Sequence, residues 1–233
     1  MKLAIKSADV FPYAVRPYEP PRFSIFQDFL TLEELNGLID YALSHQVSFR
    51  TSQVIQPTGS HSTVDYHKRR SSVLREVGPW HALIGNRLRS CFLRILKSLN
   101  YPAFSIGNIE AQITATNDGG YFRLHNDNTH HTLAMRELTY VLFFYREPKA
   151  FTGGELRLYE SHLENDRYRP GPRWAGIAPQ QNAVIFFPSC FMHEVTSVSC
   201  PSAAFADGRF TINGWIRRKP ESTKEAPPLH ADN

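Results

Sequence analysis

The chain has 233 residues, a formal charge of +4 at neutral pH and 42% hydrophobic composition, which suffices for the core of one globular domain. No apolar run reaches the roughly eighteen residues of a membrane span, and the N-terminus lacks the continuous apolar stretch of a signal peptide, so a soluble, cytoplasmic protein with no membrane partner is expected. Three cysteines, Cys91, Cys190 and Cys200, are an odd number at wide spacings, which excludes a disulfide framework and a cysteine zinc site. The basic runs at 66–72 and 215–220 read as solvated surface, and no nucleic-acid-binding module accompanies them.

The first predicted element is a helix in "FLTLEELNGLIDYALSH" (29–45). Thr31 and Glu34 have capping-box spacing, and Leu35, Leu38, Ile39, Ala42 and Leu43 recur on one face. A polar connection follows at 48–72, long enough to cover a substrate. A second helix is predicted in "PWHALIGNRLRSCFLRILKSLN" (79–100), with Pro79 in its first turn and Leu83, Leu88, Phe92, Leu93, Ile95 and Leu96 as apolar surface.

Beyond Pro102 the pattern changes to short strands rich in β-branched and aromatic residues: "NIEAQITAT", "RELTYVLFFY", "GELRLYE", "NAVIFFP", "EVTSV" and "RFTINGWI". The stretch at 160–178 reads as a second long loop, and Gly153-Gly154 as a turn that uses positive φ. Helices followed by many strands predict an α+β, mainly β chain, a jelly roll with N-terminal helices packed on one sheet. One domain is expected over 1–218, helical to about 101 and jelly roll from 102, with a disordered tail at 219–233.

The segment "FRLHNDNTHH" (122–131) concentrates metal-ligand chemistry. On an extended chain, side chains two apart face the same way, so His125 and Asp127 can hold one ion while Asn126 turns aside. His193, after the apolar strand at 182–188, supplies a third ligand. Two histidines and one carboxylate occupy one face of an octahedron and leave three positions open, as in non-haem Fe(II) oxygenases. A bidentate co-substrate with a distal carboxylate would then need a fixed cation, and Arg209 offers a planar fork on the next strand. Alternation places Thr211, Asn213 and Trp215 on the same face as Arg209.

In order along 108–218, "DGGYFRLHNDN", "RELTYVLFFY", "TGGELRLYE", "AVIFFPSCFMHEVTSV" and "RFTINGWI" resemble the 2-oxoglutarate and Fe(II)-dependent dioxygenases, specifically their prolyl-hydroxylase-like branch. The resemblance implies a double-stranded β-helix and Fe(II) bound by His125, Asp127 and His193. It also implies 2-oxoglutarate and O2 as co-substrates, with Arg209 on the far carboxylate and ascorbate as a reductant.

Where the family places pocket tyrosines, this chain has Thr114 or Thr116, Phe122 and Phe143, which leaves Tyr121, Tyr140, Thr211 and Asn213 as candidates for the missing polar contacts. Arg69, Arg70 and His130 are candidate substrate contacts. The retained Asp127 favours hydroxylation over halogenation. The implied substrate is a prolyl or other residue of a peptide or protein. A free amino acid, a natural-product intermediate and a non-turnover jelly-roll binding module remain as alternatives.

Overall fold

Thr31 caps the first helix, α1 (Leu32–Ser44), as its spacing implies: its hydroxyl accepts the Glu34 amide, and the Glu34 carboxylate accepts the Thr31 amide. The computed structural model describes residues 18–55, 62–129, 131–165 and 167–220. The second helix, α2 (Pro79–Leu99), starts on Pro79 and ends at Asn100, whose φ of 46° is left-handed. Leu35, Leu38 and Ala42 of α1 and Ile84, Leu88, Phe92, Ile95 and Leu96 of α2 are buried. Leu93, expected on that face, is 78% exposed, because it lies on the outer side of the helix.

The strands, in chain order, begin with β1 (Ser24–Phe26), β2 (Arg50–Thr51), β3 (Val54–Ile55), β4 (Ser62–Thr63), β5 (Arg69–Arg70) and β6 (Ser72–Leu74). The long core strands follow as β7 (Ile106–Thr116), β8 (Tyr121–His125), β9 (Arg136–Phe144), β10 (Thr152–Gly153), β11 (Leu156–Glu164) and β12 (Arg167–Ile177). The set ends with β13 (Val184–Pro188), β14 (His193–Val195), β15 (Val198–Ser199) and β16 (Arg209–Arg218). A seven-stranded sheet in the order β1-β13-β9-β16-β7-β6-β2 faces a five-stranded sheet in the order β12-β11-β14-β8-β5. Every registered pair is antiparallel, and the jelly-roll expectation holds.

The outer face of the larger sheet packs on both helices through Ile113, Leu138, Tyr140, Leu142, Phe144 and Ile212. Its inner face meets the smaller sheet through Val141, Phe143, Leu156, Leu158, Ile185 and Phe187. With both faces of β9 covered, Leu138–Phe144 is buried throughout.

Two stretches expected as loops contain strands. The segment 48–72 contributes β2 through β5 and the start of β6, with 56–61 outside the described residues. The segment 160–178 is a hairpin of β11 and β12, with a register shift between Tyr159 and Ser161. Pro170 and Pro172 are tolerated in β12 because it is an edge strand, where a missing amide leaves fewer ladder bonds unmade. The residues at 221–233, which include most of the expected tail, lie outside the described residues. No helix among the described residues is long and apolar enough to cross a membrane.

Candidate metal centre and active site

His125 closes β8 and His193 opens β14, and the two are direct cross-strand partners. Asp127 follows two residues after His125, anchored by its amide donating to the Ser189 carbonyl at 2.9 Å. The ligand atoms of His125, Asp127 and His193 all lie within 4.8 Å of one another. His193 Nε2 is 3.5 Å from Asp127 Oδ2, and His125 Nε2 is 3.8 Å from Asp127 Oδ1.

The tautomers are set from behind. His125 Nδ1 meets the Arg123 carbonyl at 2.8 Å and His193 Nδ1 meets the Phe191 carbonyl at 2.9 Å, so each Nδ1 carries the proton and each Nε2 lone pair faces the cluster. Burial, reinforced by the neighbouring His193 and outweighing the attraction of Asp127, depresses the His125 pKa to about 3. Its imidazole is neutral at physiological pH, as a metal ligand must be. For Asp127 burial acts upward, but the facing His193 and His125 and the Thr139 hydroxyl together hold its pKa below the ordinary value. Two imidazole nitrogens and one carboxylate oxygen converging on one point fit Fe(II).

Thr139 was not singled out by the sequence, yet its hydroxyl donates to Asp127 Oδ2 at 2.7 Å and lies 3.0 Å from Ser189 Oγ. The lone threonine in the otherwise apolar and aromatic run 138–145 was the available signal. Thr139→Val keeps the shape and removes that bond. The expected result is about 10-fold weaker Fe(II) binding in an anaerobic titration, with the unfolding transition of the metal-free protein little changed.

All three residues line a cavity of about 910 Å³ between the sheets. Arg209 lines the same cavity at 3% exposure. Its Nε donates to the Gly154 carbonyl at 2.9 Å and its guanidinium lies 4.9 Å from the centre of the Phe143 ring. Among the described residues no carboxylate pairs with it, and burial pulls its pKa down to about 9. A buried, charged and uncompensated guanidinium is costly, which makes it the mark of a site built for an anion. Gly154, at φ 65°, serves it directly: a Cβ there would stand 2.5 Å from Arg209 Cδ.

The alternation predicted for β16 is observed. Thr211, Asn213 and Trp215 line the cavity with Arg209, and Asn213 Oδ1 accepts the Thr114 hydroxyl at 2.6 Å. Trp215 does more than pack. Arg136 lies 3.5 Å from its ring centre, and its indole N–H sits close enough to help lower the Asp127 pKa without reaching hydrogen-bond geometry.

Tyr140 is a correction. It points away from the cavity, its hydroxyl donates to the Glu110 carbonyl at 2.9 Å, and it packs where Gly214 leaves no Cβ. Pleating explains this, since Thr139 and Val141 line the cavity and the residue between them must face the helices. Tyr121 lines the cavity, but its hydroxyl is used by the Tyr66 carbonyl. Arg69 lines the cavity, whereas Arg70, next along β5, does not and is exposed. His130 lies outside the described residues.

Residues 111–217 match the family model described as the 2OG-Fe(II) oxygenase superfamily. An uncharacterized PKHD-type hydroxylase of Synechocystis sp. is 40% identical over 202 residues, covering 86% of this chain and 64% of that relative, so the chain spans under two thirds of the relative's length. Among solved structures, a Pseudomonas putida prolyl-4-hydroxylase has a TM-score of 0.58 at 16% identity, over 86% of this chain and 94% of that one. A prolyl hydroxylase from Trichoplax adhaerens, in complex with a hypoxia inducible factor peptide fragment, has a TM-score of 0.58 at 17% identity, over 85% and 84% of the two chains. At such identities these two establish the fold, while the family model spans the strands that carry His125, Asp127, His193 and Arg209. The chain therefore belongs to the 2OG-Fe(II) oxygenase superfamily, and its fold is that of the prolyl-hydroxylase-like members.

Proposed function

We propose that this chain is an Fe(II)- and 2-oxoglutarate-dependent hydroxylase of an unactivated C–H bond, with a prolyl or other amino-acid residue as its substrate. The single observation that carries the reading is the pairing, in one cavity, of the His125-Asp127-His193 cluster with the buried Arg209, which has no carboxylate partner among the described residues. Fe(II) in such a site couples O2 and 2-oxoglutarate to C–H hydroxylation, with succinate and CO2 as the other products.

The protein's part is positioning and exclusion of water. Arg209 takes the distal carboxylate of 2-oxoglutarate with its η nitrogens, while Gly154 fixes its ε nitrogen. Thr211 and Asn213 flank the path between Arg209 and the metal ligands on the same face of β16. Val141, Leu156 and Val195 supply dry wall, so that charges inside interact strongly. The hydroxyls of Tyr121 and Tyr140 are committed to backbone carbonyls, which leaves the threonines and Asn213 as the polar lining.

Similarity to a PKHD-type hydroxylase and to prolyl hydroxylases, one of them bound to a peptide, supports this substrate class. The test is incubation of the Fe(II)-loaded protein with 2-oxoglutarate and O2 against proline-containing peptides and amino-acid derivatives, with succinate and substrate mass both followed. A gain of one oxygen atom in the substrate, matched by equal succinate, is expected. Succinate that never couples to any oxidised product would favour the binding-module alternative.

A further inference from the structure

The cavity wall holds a second interior cation that the site described above does not use. Arg69, on β5 at the edge of the smaller sheet, pairs in register with Phe122. Its guanidinium lies 4.5 Å from the centre of the Phe122 ring, and Phe122 in turn stacks on His125 at 3.5 Å between ring centres. This layering seats Arg69 beside the metal ligands. Its Nε donates to Ser71 Oγ at 2.8 Å, and Ser71 donates on to Ser52 at 2.9 Å, which fixes the plane of the fork. One η nitrogen makes a long contact of 3.4 Å to Thr114 Oγ1. No carboxylate pairs with Arg69 among the described residues. Burial lowers its pKa to about 10, against the opposing attraction of Asp127.

Charge balance says what is missing. With the site loaded, the two positive charges of Fe(II) match the two negative charges of 2-oxoglutarate, and Asp127 matches Arg209. Arg69 is left over. The other carboxylate in the described lining, Glu110, is taken by Arg136 and Arg217. Lys68, Arg75, Arg123 and Arg167 line the same cavity with no ion pair among the described residues, so no described residue of the wall supplies the anion.

We propose that Arg69 is the receptor for a carboxylate of the oxidised substrate, which makes that substrate an organic acid whose attacked C–H bond lies near its carboxylate. This rests on the assignment of Arg209 to 2-oxoglutarate. A planar fork held on a phenyl ring and tied at Nε presents its remaining donors as a pair, the geometry that suits a carboxylate. An internal prolyl residue has no such group of its own. A C-terminal residue or a free amino-acid derivative does.

The test uses the full chain loaded with Zn(II) and carrying isotopically labelled arginine. The Nε–H signals of Arg69 and Arg209, both in hydrogen bonds, are assigned by their loss in Arg69→Gln and Arg209→Gln. Addition of 2-oxoglutarate moves the Arg209 signal. With 2-oxoglutarate saturating, N-acetyl-L-proline then moves the Arg69 signal, while N-acetyl-L-prolinamide binds at least about 10-fold more weakly. Arg69→Gln raises the dissociation constant of the acid about 10-fold or more and leaves that of 2-oxoglutarate within about twofold, and Arg69→Lys gives an intermediate value.

An Arg69 signal indifferent to acetate and to N-acetylproline up to about 50 mM overturns the proposal. So does a signal that moves on adding 2-oxoglutarate and then ignores both acids, because the carboxylate would be the co-substrate's own. If instead Arg209 ignores 2-oxoglutarate, the co-substrate assignment fails first and the proposal falls with it.

Discussion

Arg209→Ala binds Fe(II) as the unaltered protein does and needs about 100-fold more 2-oxoglutarate to half-saturate. The magnitude follows from the loss of charged hydrogen bonds to a carboxylate in a water-poor cavity, together about 3 kcal/mol, with each tenfold in affinity equal to about 1.4 kcal/mol. The guanidinium is 3% exposed and has no acidic partner among the described residues, so no protein group stands ready to replace it. Arg209→Lys retains the charge but loses the fork and the bond to the Gly154 carbonyl, and its defect should be about 10-fold. Anaerobic titration of the Fe(II) protein with 2-oxoglutarate, followed by visible absorbance, reads both. Equal 2-oxoglutarate affinity in Arg209→Ala and the unaltered protein would remove the co-substrate assignment altogether.

His193→Ala and His125→Ala abolish measurable Fe(II) binding, and with it every 2-oxoglutarate-dependent turnover. Each histidine contributes one of only three donors, and the remaining histidine and Asp127 cannot define an octahedral face. The fold should survive, because β14 stays paired on both sides, with β8 and β11, whichever side chain occupies position 193. Iron content after anaerobic loading and desalting, beside far-ultraviolet circular dichroism of the same samples, separates lost metal from lost structure. Full iron retention in His193→Ala would sink the ligand set.

Much of this site was legible because it depends on local periodicities. The two-residue spacing of His125 and Asp127, the alternation from Arg209 to Trp215 and the capping pair Thr31 and Glu34 are properties of a few consecutive residues, and each reappears in the structure. The direction of Tyr140 was not legible. Its strand is covered on both faces, so the hydrophobic pattern has no polar side to tell inward from outward. The two-residue strands β2 and β5 exist through partners distant in sequence, while β3 and β4 pair only with each other, and over so short a run strand propensity carries no signal. Pro170, Gly171 and Pro172 likewise hid β12, since an edge position forgives what a central strand would not. The segment 199–208, which shows no regular apolar pattern, is pinned to the core: Cys200 is fully buried and Phe205 packs edge-on against Phe49 and Phe210.

The direct pairing of His125 with His193 also governs which changes of chain length this architecture can absorb. Everything between the two strands can grow or shrink at its turns without separating the imidazoles, because ladder hydrogen bonds, rather than distance along the chain, set their spacing. A single residue inserted or deleted inside β8 or β14 is different in kind, since it rotates one imidazole to the opposite face of the sheet. Length variation among relatives should therefore gather in the hairpin tips and avoid these two short strands, however permissive the substitutions within them.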